Sequence, residues 1–319
     1  MQFVVRVMHQ TGRMGGVLVG FAIIGTIIAV GYVVARTEIL GDDPRRALSR
    51  LVFFVLSPCL LFTVLADADV HTLFSRLLAV SAISAIFTCL VFVAIAMFVW
   101  RRATADAVVG AASSGYVNAN NIGIPVAVYV LGDPALTAPV ILLQLLVLAP
   151  IVLTILDIST SGKASIGRIL MQPVRNPLII ASALGVVVSV TGLQIPEPVM
   201  EPFRIIGGAC VPLVLISFGM SLSGQRILQA GSPRRDIILA SALKLVVMPV
   251  VAWAVGRFIF DLHDDQLFGV VMLAALPTAQ NVLNYAQRYE RAETLARDTI
   301  LITTIGSVPV LLVAAALLA

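Results

Sequence analysis

The sequence predicts an all-α polytopic membrane protein of ten transmembrane helices, arranged as two five-helix repeats of opposite topology. Three observations carry that prediction. The 319-residue chain is 59% hydrophobic and 12% charged, with a mean hydropathy of +1.03, whereas an ordinary soluble domain is about a quarter charged. Ten apolar stretches follow one another with short connections, each near the roughly 20 residues that cross a bilayer. Prolines and glycines also recur in one register. Gly31 and Pro58 stand 27 residues apart, as do Gly185 and Pro212, and an offset of 154 relates both pairs and also Pro44 to Pro198. An odd number of spans per half inverts the second half relative to the first.

The elements follow in order. Residues 1–14 read as a non-cytoplasmic tail with Arg6, His9 and Arg13, and no small-residue cleavage site marks a signal peptide. A Gly-rich apolar run then opens the first span, 15–35. The second and third occupy 47–66 and 76–100. The fourth, 106–132, is interrupted by Asn118-Ala-Asn-Asn-Ile-Gly-Ile-Pro125 and stops at Gly132-Asp133-Pro134. The fifth, 135–158, completes the first repeat, 15–158. A cytoplasmic loop, 159–173, carries Lys163 and Arg168 and leads into the second repeat, 174–319. Its spans are 174–192, 199–223, 236–257, 266–288 and 295–318.

Basic residues set the orientation. Of the 21 lysines and arginines, fifteen flank the loops after odd-numbered spans, five lie on the opposite side, and Lys244 is inside a span. Cytoplasmic loops carry the excess, so both termini are expected to face away from the cytoplasm. The net charge of +4 comes from these short loops and is not the footprint of a nucleic-acid binder. Cys59, Cys89 and Cys210 all fall in apolar spans and read as small core residues rather than a disulfide framework.

Polar breaks inside spans are costly in lipid, because opened backbone must be buried in protein or line a watery cavity. Asn118, Asn120 and Asn121 form one such cluster, with Gly123 and Pro125 as the helix breakers. Proline suits the first position of a helix, so the second half-helix is expected to start at Pro125. Pro277, Gln280, Asn281 and Asn284 form the second break, with the three amides on one helical face. In opposite topology, each half-helix after a break starts near the membrane centre with its positive dipole end inward. Two such ends favour an anion. Lys244 lies about 13 Å into a core about 30 Å thick. It would add positive charge, or pair with helix-end carbonyls. No Asp or Glu falls deep in a span. An ion site would therefore rest on neutral oxygens such as Ser113, Ser114, Gln144 and Thr304.

Enzymatic readings find no support. Asp261-Leu-His-Asp-Asp265 occurs once on a short loop, the three histidines lie outside the spans, and no His-Glu-x-x-His occurs. Gly219-Met-Ser-Leu-Ser-Gly224 is not a nucleophile elbow. No cofactor is expected.

Several stretches resemble the auxin efflux carrier family, in its bacterial branch. They are Gly31-Tyr-Val-Val-Ala35, Leu56-Ser-Pro-Cys-Leu-Leu-Phe62, Asn118 to Pro125, Arg175-Asn-Pro-Leu178, Pro212-Leu-Val-Leu, Phe218-Gly-Met-Ser-Leu222, Lys244-Leu-Val-Val-Met-Pro249 and Pro277-Thr-Ala-Gln-Asn281. The family is similar in fold to bile acid/sodium symporters. The resemblance implies a scaffold domain from spans 1, 2, 6 and 7. It implies a transport domain from spans 3–5 and 8–10, in which the two broken helices cross. It also implies a bacterial inner-membrane carrier of small organic anions, auxin- or dicarboxylate-like. The long central loop of the plant carriers is missing. A sodium-coupled symporter of larger organic anions, an anion channel and a non-transporting sensor stand as alternatives. Proton coupling, sodium coupling and uniport stay open. The large apolar scaffold surface is compatible with a homodimer, and lipid is the expected surroundings.

Overall fold

The computed structural model describes residues 2–37, 44–67, 76–161, 176–221, 223, 228 and 231–318. The expected loop 159–173, apart from its first residues, lies outside them, as does Arg175. The described residues are helical, with no strand beyond a single isolated bridge. The helices are α1 (Gln2–Thr37), α2 (Arg46–Asp67), α3 (Arg76–Val99) and α4 (Thr104–Gly115). Then come α5 (Ala119–Leu131), α6 (Pro134–Thr160), α7 (Pro177–Thr191) and α8 (Glu197–Ser221). The chain closes with α9 (Arg234–Phe258), α10 (Asp264–Ala274), α11 (Gln280–Tyr289) and α12 (Glu293–Leu318).

Seven of these are long and apolar enough to cross a membrane, namely α2, α3, α6, α8, α9, α12 and the Leu18–Thr37 part of α1. The expected fourth and ninth spans each appear as two shorter helices, α4 with α5 and α10 with α11. The expected sixth span appears as α7, whose 15 residues reach only about 22 Å. The N-terminal boundary differs from expectation. Residues 2–14, read as a tail, continue α1 as helix; a helix makes its backbone bonds within itself and needs no tertiary partner for them.

Packing gathers most of the helices into two sets, and α5 packs on α1 and α8 as well as on α6. The Ser57–Asp67 half of α2 packs against α7 and the first half of α8, while α1 packs along the second half of α8. That seam is close because of two glycines. A Cβ on Gly31 would stand 2.2 Å from the Ile216 carbonyl oxygen, and one on Gly219 would stand 2.0 Å from that of Ile28. Small residues at such crossings let backbones approach where lipid supplies no hydrophobic drive between helices. The other set is built around α4, which packs against α3, α6, α9 and α12, with α10 held between α3, α9 and α12. Arg102 ties this set together at one end. Its Nε and Nη2 reach the two carboxylate oxygens of buried Asp236 at 3.0 and 2.7 Å. That hydrogen-bonded fork raises the guanidinium above its ordinary range, so it stays charged.

Candidate functional site

The two interruptions lie against each other. α4 ends at Gly115, and Tyr116 turns extended with φ −88° and ψ 119°. α10 ends at Ala274, and Ala279 is extended with φ −70° and ψ 141°. Between these points the chains pair antiparallel at Val117 and Thr278. Asn118 N–H donates to the Pro277 carbonyl at 2.8 Å, and Ala279 N–H donates to the Tyr116 carbonyl at 3.1 Å. Each break thus satisfies the other's opened backbone. Pro277 serves this position through its carbonyl, which accepts, and with no N–H of its own it does not continue α10. Thr278 completes the closure. Its Oγ1 donates to the Ser113 carbonyl at 2.6 Å and its N–H donates to Thr303 Oγ1 at 3.1 Å.

The first break sits earlier than the sequence suggests. α5 starts at Ala119, and Pro125 lies inside it rather than at its start. Asn118 is the N-cap, its side-chain oxygen accepting from Asn121 N–H at 3.2 Å. That cap supplies the start signal that proline was expected to give. Pro125 is accommodated because the preceding turn is wide. Gly123 N–H reaches back to the Asn118 carbonyl at 2.9 Å, and Ile124 N–H reaches back to that of Ala119. Such a turn relieves the clash between a proline ring and the carbonyl before it. At the second break Pro277 lies in the gap and Gln280 opens α11.

A cavity of about 1080 Å³ opens at this junction. Asn118, Asn120, Asn121, Gln280, Asn281 and Asn284 all line it. Gln144 joins them, buried, with an Oε1 that has no hydrogen-bond partner; the Asn120 Oδ1 has none either. Asn120 Nδ2 donates to Asn121 Oδ1 at 3.0 Å. Two tyrosines that sequence reasoning passed over flank the breaks. Tyr116 OH donates to the Gln144 carbonyl at 2.8 Å, and its ring meets Tyr285 edge-on with centroids 6.3 Å apart. Tyr116 adjoins the first break and Tyr285 follows Asn284 on α11, which is the signal the sequence offers. The wall opposite includes Asn176, Pro177 and Leu178. Asn176 caps α7 by accepting from Leu178 N–H at 2.9 Å, so this motif serves as a helix start beside the cavity. Arg46, Arg50 and Arg288 also line the cavity. The sequence used them only to orient the chain. No Asp or Glu occurs among the described lining residues.

The remaining candidates sit elsewhere. Lys244 is fully buried and lines neither this cavity nor the smaller one described next. Its Nζ donates to the Ala274 carbonyl at 2.9 Å and to Met248 Sδ at 3.0 Å. Ser113 and Ser114 turn back onto their own helix, donating to the Val109 and Gly110 carbonyls at 2.8 and 2.9 Å. Thr304 lines a second cavity of about 400 Å³ behind α11, together with Gln280, Asn284, Glu293 and Arg297. Gly123 is buried in α5, and a Cβ there would meet Leu276 Cδ1 at 3.0 Å.

A family model described as membrane transport protein matches residues 17–315. The chain belongs to the membrane transport protein family. This is the auxin efflux carrier-like family that its motifs resemble. Relatives in bacteria and archaea match along about nine tenths of their length. "Uncharacterized transporter YfdV" of Escherichia coli (strain K12) is 25% identical over 292 residues, covering 88% of this chain and 91% of its own. A Rhizobium meliloti (strain 1021) protein named "Putative malonate transporter" is 25% identical over 293 residues, covering 88% and 89%. An "Uncharacterized transporter" of Methanothermobacter thermautotrophicus is 26% identical over 289 residues, covering 88% and 91%. The chain is therefore an integral membrane protein of a transporter family, consistent with its apolar helices.

Proposed function

We propose that this transporter is a secondary carrier for a small organic anion of the mono- or dicarboxylate class, working by alternating access. One observation carries the reading. The cavity at the two breaks is lined by six side-chain amides of α5, α11 and their caps and by three arginines, with no acidic side chain among its described lining residues. Helix starts present free N–H groups and a positive dipole end, so α5 and α11 both favour negative charge where they meet. Side-chain amides donate to carboxylate oxygens. A cavity walled by positive charge raises the local concentration of anions. The Rhizobium relative's name supports the dicarboxylate end of the class.

In this reading α4 with α5, and α10 with α11, are the two crossing broken helices of a 5+5 inverted repeat. α1, α2, α7 and α8 form the scaffold, and the other helices form the transport domain that moves against it. The packing of the two sets supports this division for the helices they include, while α5 lies between them, against α1 and α8 as well as α6. The cavity opens beside Arg46, Arg50 and Arg288, residues of the basic side, so the conformation is the cytoplasm-facing one. Both termini then face outward from a bacterial inner membrane. Asn120, Asn121, Gln280, Asn281, Asn284 and Gln144 contact the substrate, while Asn118, Pro277 and Thr278 hold the junction. The experiment is uptake into proteoliposomes across a panel of carboxylates, with proton, sodium and voltage gradients imposed separately. Saturable uptake with counterflow supports a carrier. Conductance too large for a conformational cycle points to a channel, binding without flux to a sensor, and strict sodium dependence to a sodium symporter.

A further inference from the structure

We infer that Lys244 is a positioning residue for the second break, acting on the substrate only through the helix end that it holds. The inference rests on the site proposed above. In an unbroken α10 the Ala274 carbonyl would accept from the N–H of residue 278. Thr278 N–H is instead engaged by Thr303 Oγ1 at 3.1 Å. The neighbouring ends are taken locally, since Ala275 N–H bonds the Val271 carbonyl at 2.9 Å and Leu276 N–H bonds that of Leu273 at 3.4 Å. Ala274 is left as a buried carbonyl without a helical donor, and an unpaired group of that kind is expensive in the membrane. Lys244 Nζ takes it at 2.9 Å from across the α9–α10 contact.

The first break solves the same problem differently. There the Ser113 carbonyl is taken by Thr278 Oγ1 at 2.6 Å, a side chain of the second break itself. The two breaks are therefore linked in series. Lys244 fixes the end of α10, the end of α10 fixes Thr278, and Thr278 closes the end of α4. Met248 Sδ, 3.0 Å from Nζ, holds the lysine in place from one turn along its own helix. The side chain has no exposed surface and lines neither cavity, so direct contact with a solute is not its role.

The test uses the full-length protein in nanodiscs, with amide hydrogen exchange at Asn118 and Ala279 as a readout independent of transport. These are the two amides of the interbreak bridge. Lys244→Met keeps the length of the side chain and removes the donor. Lys244→Gln, which keeps a donor, guards against misfolding of the first variant. Exchange at both amides is expected to rise by about tenfold in Lys244→Met and by less in Lys244→Gln. Malonate counterflow in proteoliposomes should slow in the same order. Unchanged exchange with a raised KM would make Lys244 a substrate contact and overturn the inference. Unchanged exchange with unchanged kinetics would overturn it as well. Faster exchange in a protein that moves no carboxylate would leave the inference standing and defeat the proposed function instead.

Discussion

The backbone N–H of Asn118 donates to the carbonyl of Pro277 across 159 positions of sequence, at 2.8 Å. This bond joins two interruptions that each look expensive alone. Together they bury their opened backbone in one another and leave two helix starts facing a common cavity.

Thr278 carries more of this junction than its neighbours. Replacing it by Val preserves shape but removes the 2.6 Å bond to Ser113. A buried carbonyl stripped of its partner costs about 1–3 kcal/mol. Thermal unfolding of Thr278→Val in detergent should show a lower Tm than wild type, and Thr278→Ser should recover most of the loss.

Asn118 is a helix cap as well as a lining residue. Asn118→Ala removes the acceptor for Asn121 N–H and should cost about 1 kcal/mol. Asn118→Asp keeps an acceptor but puts negative charge at the proposed anion site. Its stability should stay near wild type while carboxylate uptake falls; stability and uptake falling in parallel would assign Asn118 to structure alone.

The α1–α8 seam tolerates no added carbon. Gly219→Ala would bring a Cβ to 2.0 Å from the Ile28 carbonyl oxygen, so the helices must separate. The cost should be about 1–3 kcal/mol, seen as a lower Tm. An equivalent change at Gly25, where nothing stands within 4 Å, should be neutral.

The arginines at the cavity should act by charge rather than by shape. Arg288→Gln and Arg50→Gln should each weaken carboxylate affinity by roughly two- to fivefold at low salt, and the difference should shrink as ionic strength rises. A salt-independent loss would mean direct contact instead.

Much of this was readable from residues. Long apolar runs with short connections leave helix as the only way to satisfy backbone in lipid, so α2, α3, α6, α8, α9 and α12 fall close to their expected bounds. The amide clusters were legible because polar groups inside such runs need a reason. The start of α5 is hard to read because Pro125 is a louder signal than Asn118, while a wide turn, invisible in sequence, absorbs the proline. Lys244 stood out as an intramembrane cation, but its partner is a backbone carbonyl freed by a break thirty positions away. No side-chain pattern announces such a carbonyl. Arg46, Arg50 and Arg288 were visible only as topology signals, because their convergence on one cavity is a tertiary fact.

The most direct measurement is saturable malonate binding and counterflow by wild type beside Asn281→Leu, with both proteins shown to be equally folded. Wild type should bind and exchange malonate, and Asn281→Leu should do neither. Equal affinity and equal exchange in the two proteins would remove the anion site from the junction of the breaks.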